Sequence, residues 1–147
     1  VMGQQQLLLL VLATVIVGLA TVAGIQAFDQ GQARASQDAL TTTAVKIASD
    51  AQARIKEPSQ FGGYDGDLSK STGEIGLQEL GYSTSSATSG YTSVGSQTYK
   101  ASDGECSLDN SGPITINCES EEATVTVEVD GIDSENIKTT DQTIKGS

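Results

Sequence analysis

The chain opens with an apolar stretch that has no polar side. No charged residue occurs before Asp29, and residues 7–28 read LLLLVLATVIVGLATVAGIQAF. As a helix, these residues would span roughly 33 Å at 1.5 Å per residue, enough to cross the hydrocarbon core of a bilayer. We therefore predict an apolar helix over residues 1–28 that spans a membrane.

The pattern then becomes amphipathic without losing its helical period. Apolar residues recur at spacings of three and four, which places them on one helix face. These residues are Leu40, Ala44, Ile47, Ala48, Ala51 and Ile55. Pro58 cannot continue a helix, because it lacks an N–H and its ring clashes with the preceding turn. One helix is therefore predicted from about Met2 to Glu57, with residues 29–57 as its amphipathic continuation.

Residues 58–95 form a region that is unsuited to long regular elements. It contains 8 Gly and 12 Ser or Thr among 38 residues, and glycine weakens both helices and strands. We expect a connecting region with a short turn of helix at Ile75–Leu80, ending at Gly81. Tyr82–Ser93 is expected to be a surface loop or a weak edge strand.

The last part, residues 96–147, carries strand patterns. In Glu122–Val129, apolar Ala and Val alternate with Thr and Glu, which is typical of a half-buried antiparallel strand. Four more strands are predicted at Gln97–Ala101, Glu105–Leu108, Pro113–Cys118 and Ile137–Ile144. The fold class is therefore α+β: a long N-terminal helix packed on a small C-terminal antiparallel sheet.

The two cysteines lie in two of these predicted strands. Cys106 and Cys118 flank the turn-forming residues 109–112, and pairing them centres a hairpin on Gly112. Redox-active pairs usually lie closer together, as Cys-x-x-Cys. The spacing therefore predicts a structural disulfide, which implies an oxidising compartment.

Composition excludes many chemistries. The chain has no His and two Cys, so a Ser-His-Asp triad, a His-ligated zinc site and a four-thiolate cluster are impossible. The net charge of −11 argues against nucleic-acid binding. Acidic clusters at 65–67 and 130–135 could offer oxygen ligands to Ca²⁺, but their spacing is not that of an EF-hand, and we expect solvated turns. No catalytic, cofactor or metal site is predicted, and we expect the protein not to be an enzyme.

The acidic balance and the hydroxyl-rich loop leave two questions open. A dense carboxylate surface suits a high-salt habitat, and it equally suits a negatively charged filament. No Asn-x-Ser/Thr sequon occurs. Tyr82–Ser93 could carry O-linked sugars or could be a plain polar loop.

An uncharged apolar helix at the very start, an amphipathic continuation and a disulfide-bonded antiparallel sheet together resemble the type IV pilin superfamily. The resemblance in motif covers Val1 to about Ile55. It implies cleavage of a leader before Val1 by a prepilin peptidase, insertion in the cytoplasmic membrane, and extraction by a pilus assembly machinery. The chain departs from bacterial pilins at Gln5, where those proteins have an acid, and it lacks their proline in the middle of the apolar segment. These departures suggest a divergent bacterial or archaeal-like branch.

The expected function is that of a structural subunit, a major pilin that polymerises with itself into an extracellular, pilus-like helical filament. A single-pass anchor for an extracellular binding domain and a secretion-system pseudopilin remain alternatives. In place of a salt bridge, the amides of residues 4–6 are expected to hydrogen-bond the N-termini of neighbouring subunits. The predicted assembly residues are Val1, Gln4, Gln5, Gln6, Leu7, Leu8, Leu10, Val11, Val15, Gly18, Leu19, Val22, Gly24 and Ile25.

Overall fold

The computed structural model describes residues 2–146, without the side chain of Met2. It contains two helices, two short 3₁₀ turns at Ser59–Phe61 and Ser134–Asn136, and six strands. The helices are α1 (Met2–Lys56) and α2 (Leu68–Ser71). The strands are β1 (Ser85–Ser86), β2 (Gln97–Ala101), β3 (Gly104–Asp109), β4 (Ile114–Glu119), β5 (Ala123–Val129) and β6 (Ile137–Ile144).

The strands form one antiparallel sheet in which each strand pairs with the next one along the chain. In the β3–β4 pair, Cys106 lies opposite Cys118. In the β4–β5 pair, Ile116 lies opposite Val127. Connections between neighbouring antiparallel strands can be short. The long helix α1 followed by this sheet confirms the predicted α+β class with a C-terminal antiparallel sheet.

The chain divides into two compact units, with the division between Ala33 and Arg34. The first unit is helical throughout its described residues. The second unit contains the remainder of α1, the connecting region and the whole sheet.

In the second unit, the amphipathic part of α1 packs on the sheet. All six residues of the predicted stripe from Leu40 to Ile55 are fully buried. Five of them, all except Ala51, share one core with the inward side chains of β4 and β5, which are Ile114, Ile116, Cys118, Ala123, Val125, Val127 and Val129. Since three of the six stripe residues are alanines, the sheet can approach the helix closely.

Gly104 shows how close this approach is at the start of β3. A Cβ atom at Gly104 would lie 2.5 Å from the carbonyl oxygen of Glu119 and 2.8 Å from Leu40 Cδ2. Only glycine fits between the helix and the neighbouring strand at this point.

At Ile75–Leu80, where a short turn of helix is predicted, the structure has hydrogen-bonded turns over residues 77–81 and no regular helix. The Leu80 N–H donates to the carbonyl oxygen of Gly76, as in a single helical turn, and both Ile75 and Leu77 are buried in the core. Residues two apart point to different sides of a helix, so a helix could not bury both of them well. Gly81 has a left-handed φ of 87° where the segment ends.

The connecting region contains a short helix that the sequence did not predict. Helix α2 begins after Asp67, whose carboxylate accepts a hydrogen bond from the Ser69 N–H at 2.9 Å. Such side-chain caps stabilise helix N-termini. Within Tyr82–Ser93, residues Ser85–Ser86 form the edge strand β1.

Candidate functional site

The first unit presents a continuous apolar helix surface, which we define as the large apolar side chains of residues 7–28. Their exposed fractions run from 52% for Val15 to 71% for Phe28. Successive helical residues are 100° apart, so the consecutive residues 7–12 already cover every side of the helix. The members of this surface are Leu7, Leu8, Leu9, Leu10, Val11, Leu12, Val15, Ile16, Val17, Leu19, Val22, Ile25 and Phe28.

The predicted assembly residues lie between Val1 and Ile25. Those that the structure describes belong to α1 and are all exposed. Val1 lies outside the described residues. The side chains of Gln4, Gln5 and Gln6 make no hydrogen bond within residues 3–146. Their amides are therefore free to bind groups outside the chain.

The two hydroxyl groups within the apolar segment are already satisfied. Thr14 donates to the carbonyl oxygen of Val11 at 2.8 Å, and Thr21 donates to that of Val17 at 2.6 Å. A polar group that keeps its hydrogen bond is far cheaper to bury than an unpaired one. Both threonines are therefore compatible with a lipid or protein surrounding.

Two glycines lie in the apolar segment at positions where the described residues leave space for a larger side chain. Cβ atoms added at Gly18 or Gly24 would meet no atom within 4 Å. A glycine inside a helix costs about 1 kcal/mol relative to alanine. No described residue packs against Gly18 or Gly24 in a way that would require glycine there. In membranes, however, helices commonly approach each other at small residues.

Helix α1 is long enough and apolar enough to span a membrane, because its most apolar stretch of 18 residues has a mean hydropathy of 2.7. None of that stretch is buried among the described residues. A core helix of a globular domain would be mostly buried, whereas a signal sequence near the N-terminus can also be long and apolar enough to meet these criteria. Within the part of the chain that the structure describes, the apolar segment is thus left exposed.

The second unit contains the predicted disulfide between Cys106 and Cys118, which joins β3 to β4. Both cysteines are fully buried against the helix-facing core. No free thiol remains. The bond links the two central strands of the sheet, and its buried position is typical of a structural disulfide.

Two buried glutamates flank the disulfide on the other face of the sheet. Glu105 and Glu119 are paired across β3 and β4 and are 5% and 1% exposed. Glu119 accepts from Lys145 Nζ at 2.5 Å and from the Ser93 N–H at 2.7 Å. Burying a carboxylate is costly unless it is paired in this way.

Glu105 is held by hydroxyl and amide donors. It accepts from the hydroxyl of Thr88, from the Thr88 N–H at 3.0 Å and from Thr98 Oγ1 at 2.9 Å. Burial would raise the pKa of Glu105, but the hydrogen bonds from Thr88 and Thr98 and the charge of Lys100 outweigh it, and the pKa is lowered. The carboxylate therefore stays ionised in mildly acidic solution.

These acceptors fasten residues 87–96 onto the outer face of the sheet. The N–H groups of Thr88 and Ser93 bond to the two glutamates, and that of Gly95 bonds to Ser107 Oγ at 2.9 Å. The sequence did not predict this polar layer. Glu105 and Glu119 are adjacent to the cysteines, so strand alternation places them away from the core, where exposure is the ordinary expectation.

The acidic clusters considered for Ca²⁺ are used for local structure. Asp65 accepts from the Ser59 N–H at 2.8 Å, and Asp67 caps α2. Asp130 lies 3.7 Å from Lys138 Nζ. Within residues 2–146, no group of three or more acidic or cysteine side chains is arranged to hold a metal ion.

Comparison with protein-family models, with curated proteins and with solved structures finds no match for this chain.

Proposed function

We propose that this protein is a structural subunit, similar to type IV pilins, that polymerises through its N-terminal apolar helix into an extracellular pilus-like filament. The observation that carries the proposal is the apolar helix surface, whose side chains are exposed on every side of the helix. In this proposal the surface lies in the cytoplasmic membrane before assembly and among the same helices of neighbouring copies afterwards.

The energetics favour transfer of this surface out of water. Each large apolar side chain contributes about 1.5–3 kcal/mol when it becomes fully buried, before the entropy cost of association. The internally bonded Thr14 and Thr21 add no unpaired polar group to the buried segment. Gly18 and Gly24 leave space for close contact with a neighbouring helix.

A single-pass anchor for an extracellular domain is the main alternative, since the same helix satisfies the length and composition of a membrane span. An anchor commonly has a flexible linker to its domain. Here α1 includes both the apolar segment and the buried stripe from Leu40 to Ile55, with no non-helical residue between them. This continuity supports the filament over the anchor, and a pseudopilin of a secretion system would share it.

The proposal includes a role for the amides of Gln4, Gln5 and Gln6. A bare ammonium group inside an apolar filament core would cost several kcal/mol, and the chain has no acid before Asp29 to pair with it. We expect hydrogen bonds from this amide cluster to neighbouring N-termini. Replacing all three with Leu should lower filament yield and filament thermal stability, and unchanged values would contradict the role.

Electron microscopy of material sheared from cells that produce the full chain tests the proposal. We expect thin filaments that an antibody against the sheet unit labels along their length. A chain that remains in the membrane fraction and yields no labelled filament would contradict the proposal and favour the anchor.

A matched pair of variants sharpens this test. Val15→Lys places a charge within the apolar surface, at a cost of about 2.5–3.5 kcal/mol or more in an apolar surrounding, and should abolish filaments. Thr92→Lys adds the same charge at an exposed loop position and should leave them intact. Alkaline extraction of membranes shows whether each variant still inserts.

A further inference from the structure

The charge of the chain is divided unevenly between its helical part and the rest. Residues 1–57 contain four cations and four acids and are neutral, whereas residues 58–147 contain four cations and fifteen acids. The whole net charge of −11 therefore belongs to the part that forms the connecting region and the sheet. Copies of this acidic part repel each other at close range.

The cations of the acidic part are all engaged with its own carboxylates. Each of the four lysines lies within salt-bridge distance of one acid of the same chain. The pairs are Lys70–Asp65 at 3.9 Å, Lys100–Glu105 at 3.5 Å, Lys138–Asp130 at 3.7 Å and Lys145–Glu119 at 2.5 Å. Among the described residues, eleven carboxylates of residues 58–147 have no cation at that distance. This part of the chain therefore has a surplus of unpaired negative charge.

The helix shows the opposite situation. Arg54 pairs with Glu57 at 2.7 Å, but Arg34, Lys46 and Lys56 have no carboxylate within salt-bridge distance in residues 2–146. All three are exposed. The ring centroid of Tyr82 lies 6.0 Å from Lys46 Nζ. Within residues 2–146, three side-chain cations thus lack a carboxylate partner on a chain that is acidic overall.

These three cations share the face of α1 that points away from the sheet. At 100° per residue, Arg34, Lys46 and Lys56 lie within an arc of roughly 120°, opposite the buried stripe. The exposed Asp38 lies within the same arc, which therefore has three cations and one acid. We call this arc the cationic helix face. Between the cations, Ser49 and Ala53 are exposed and small, and the Ser49 hydroxyl bonds to its own helix at the carbonyl oxygen of Val45. No bulky side chain at these two positions would obstruct an approaching surface.

We propose that the cationic helix face binds the acidic part, residues 58–147, of a neighbouring copy of this chain. This inference rests on the proposed function, because it assigns a second contact surface to the same polymer. The apolar helices supply the attraction between subunits, and the cationic face decides where the negative sheet units lie. Charge complementarity sets register and orientation more than affinity, so the contact would align subunits.

Anionic lipid headgroups are a different occupant that the observations favour less. Arg34 and Lys56 are 22 residues apart, roughly 33 Å along a helix. The headgroup region on each side of a bilayer is only about 5–8 Å thick. A helix that crosses the bilayer could place one of these cations at the headgroups, but not all three.

Cross-linking in polymers of the full chain tests the contact directly. Equal amounts of unlabelled and ¹⁵N-labelled protein are polymerised together and treated with a carbodiimide, which joins lysine amines to carboxylates without a spacer. We expect peptides in which Lys46 or Lys56 of one isotope is joined to an acidic residue of 58–147 of the other isotope. Mixed-isotope links that never involve Lys46 or Lys56 would overturn the inference.

Two charge-reversal variants with equal net charge provide an independent test. Lys46→Glu with Lys56→Glu and the control Lys70→Glu with Lys138→Glu both bring the chain from −11 to about −15, and the side chains of Lys70 and Lys138 are 59% and 60% exposed. We expect the concentration of unpolymerised protein at equilibrium to rise about tenfold for the first pair and less than about threefold for the control. High salt should reduce the difference.

The outcomes separate this inference from the proposed function. If the wild-type chain forms no polymer, the proposed function fails and this inference fails with it. If the wild type polymerises and both variant pairs behave alike, only the cationic helix face is disproved. Loss of sedimentation with anionic vesicles in the Lys46/Lys56 variant, with normal polymers, would assign the face to lipid instead.

Discussion

The two halves of α1 have the same secondary structure and opposite surroundings. Residues 7–28 carry large apolar side chains that are 52% exposed or more, whereas the stripe from Leu40 to Ile55 is fully buried. The buried half contains fewer and smaller apolar residues than the exposed half. The comparison teaches that burial follows the presence of a partner surface, and that the described residues supply such a surface only to the less apolar half.

Deleting residues 1–28 should break the comparison most severely. We expect complete loss of polymers and a soluble, folded monomer, because every charged residue lies beyond this segment and the Leu40–Ile55 stripe can still cover the sheet. Size-exclusion chromatography and circular dichroism check the result. Persistent long polymers would show that the sheet unit, and not the apolar helix, holds the subunits together.

Truncation of one side chain in each half compares their roles in folding. Ile47→Ala should lower the free energy of unfolding by about 2–5 kcal/mol, because Ile47 is fully buried in the core. Leu12→Ala, at a position that is 55% exposed, should change it by less than about 0.5 kcal/mol. Denaturant unfolding of the full chain in detergent measures both, and equal effects would contradict the assignment of the two surfaces.

The disulfide is expected to stabilise only the second unit. Cys106 and Cys118 are separated by 12 positions, and closing a loop of this length in the unfolded chain contributes about 3 kcal/mol. Replacing both cysteines with Ala should lower the stability of the sheet by that amount and leave the helicity of the apolar segment unchanged. Intact-mass measurement after alkylation of unreduced protein provides the check, and two reactive thiols would disprove the bond.

A pH effect at Glu105 should be the smallest of these differences. Its pKa in the folded chain is lowered by net hydrogen bonding despite its burial. Its stabilising contribution is therefore present above the unfolded pKa, near 4.5, and is lost as the pH falls through the lower folded pKa. Glu105→Gln should lose less stability than the wild type between pH 5 and about pH 3, in thermal melts across that range.

Glu121→Gln is the matched control, because Glu121 is exposed in the turn before β5. It should follow the wild-type pH profile. An identical profile for Glu105→Gln would show that the buried carboxylate does not contribute to acid sensitivity.

Local periodicity in the sequence was sufficient to predict much of the fold. The spacing of three and four from Leu40 to Ile55 predicted which helix face is buried, and alternation over Glu122–Val129 predicted the strand that the structure has at Ala123–Val129. The positions of Cys106 and Cys118 around a turn predicted their pairing. These features depend on residues near each other in sequence, whose geometry is set by the repeat of the helix or the strand. The exposed apolar segment of residues 7–28 was equally evident from composition.

Only the tertiary structure decided the features that depend on distant partners. Ile75 and Leu77 are both buried in the core, and the segment around them makes turns instead of a regular helix. Asn110, predicted only as part of a turn, is buried and donates to the carbonyl oxygens of Ser71 and Ile75, at 2.6 and 3.1 Å. Glu105 and Glu119 are buried because residues 87–96 fold over them. A local pattern reports which side of a strand a residue faces, but burial on that side requires a segment from elsewhere in the chain to cover it.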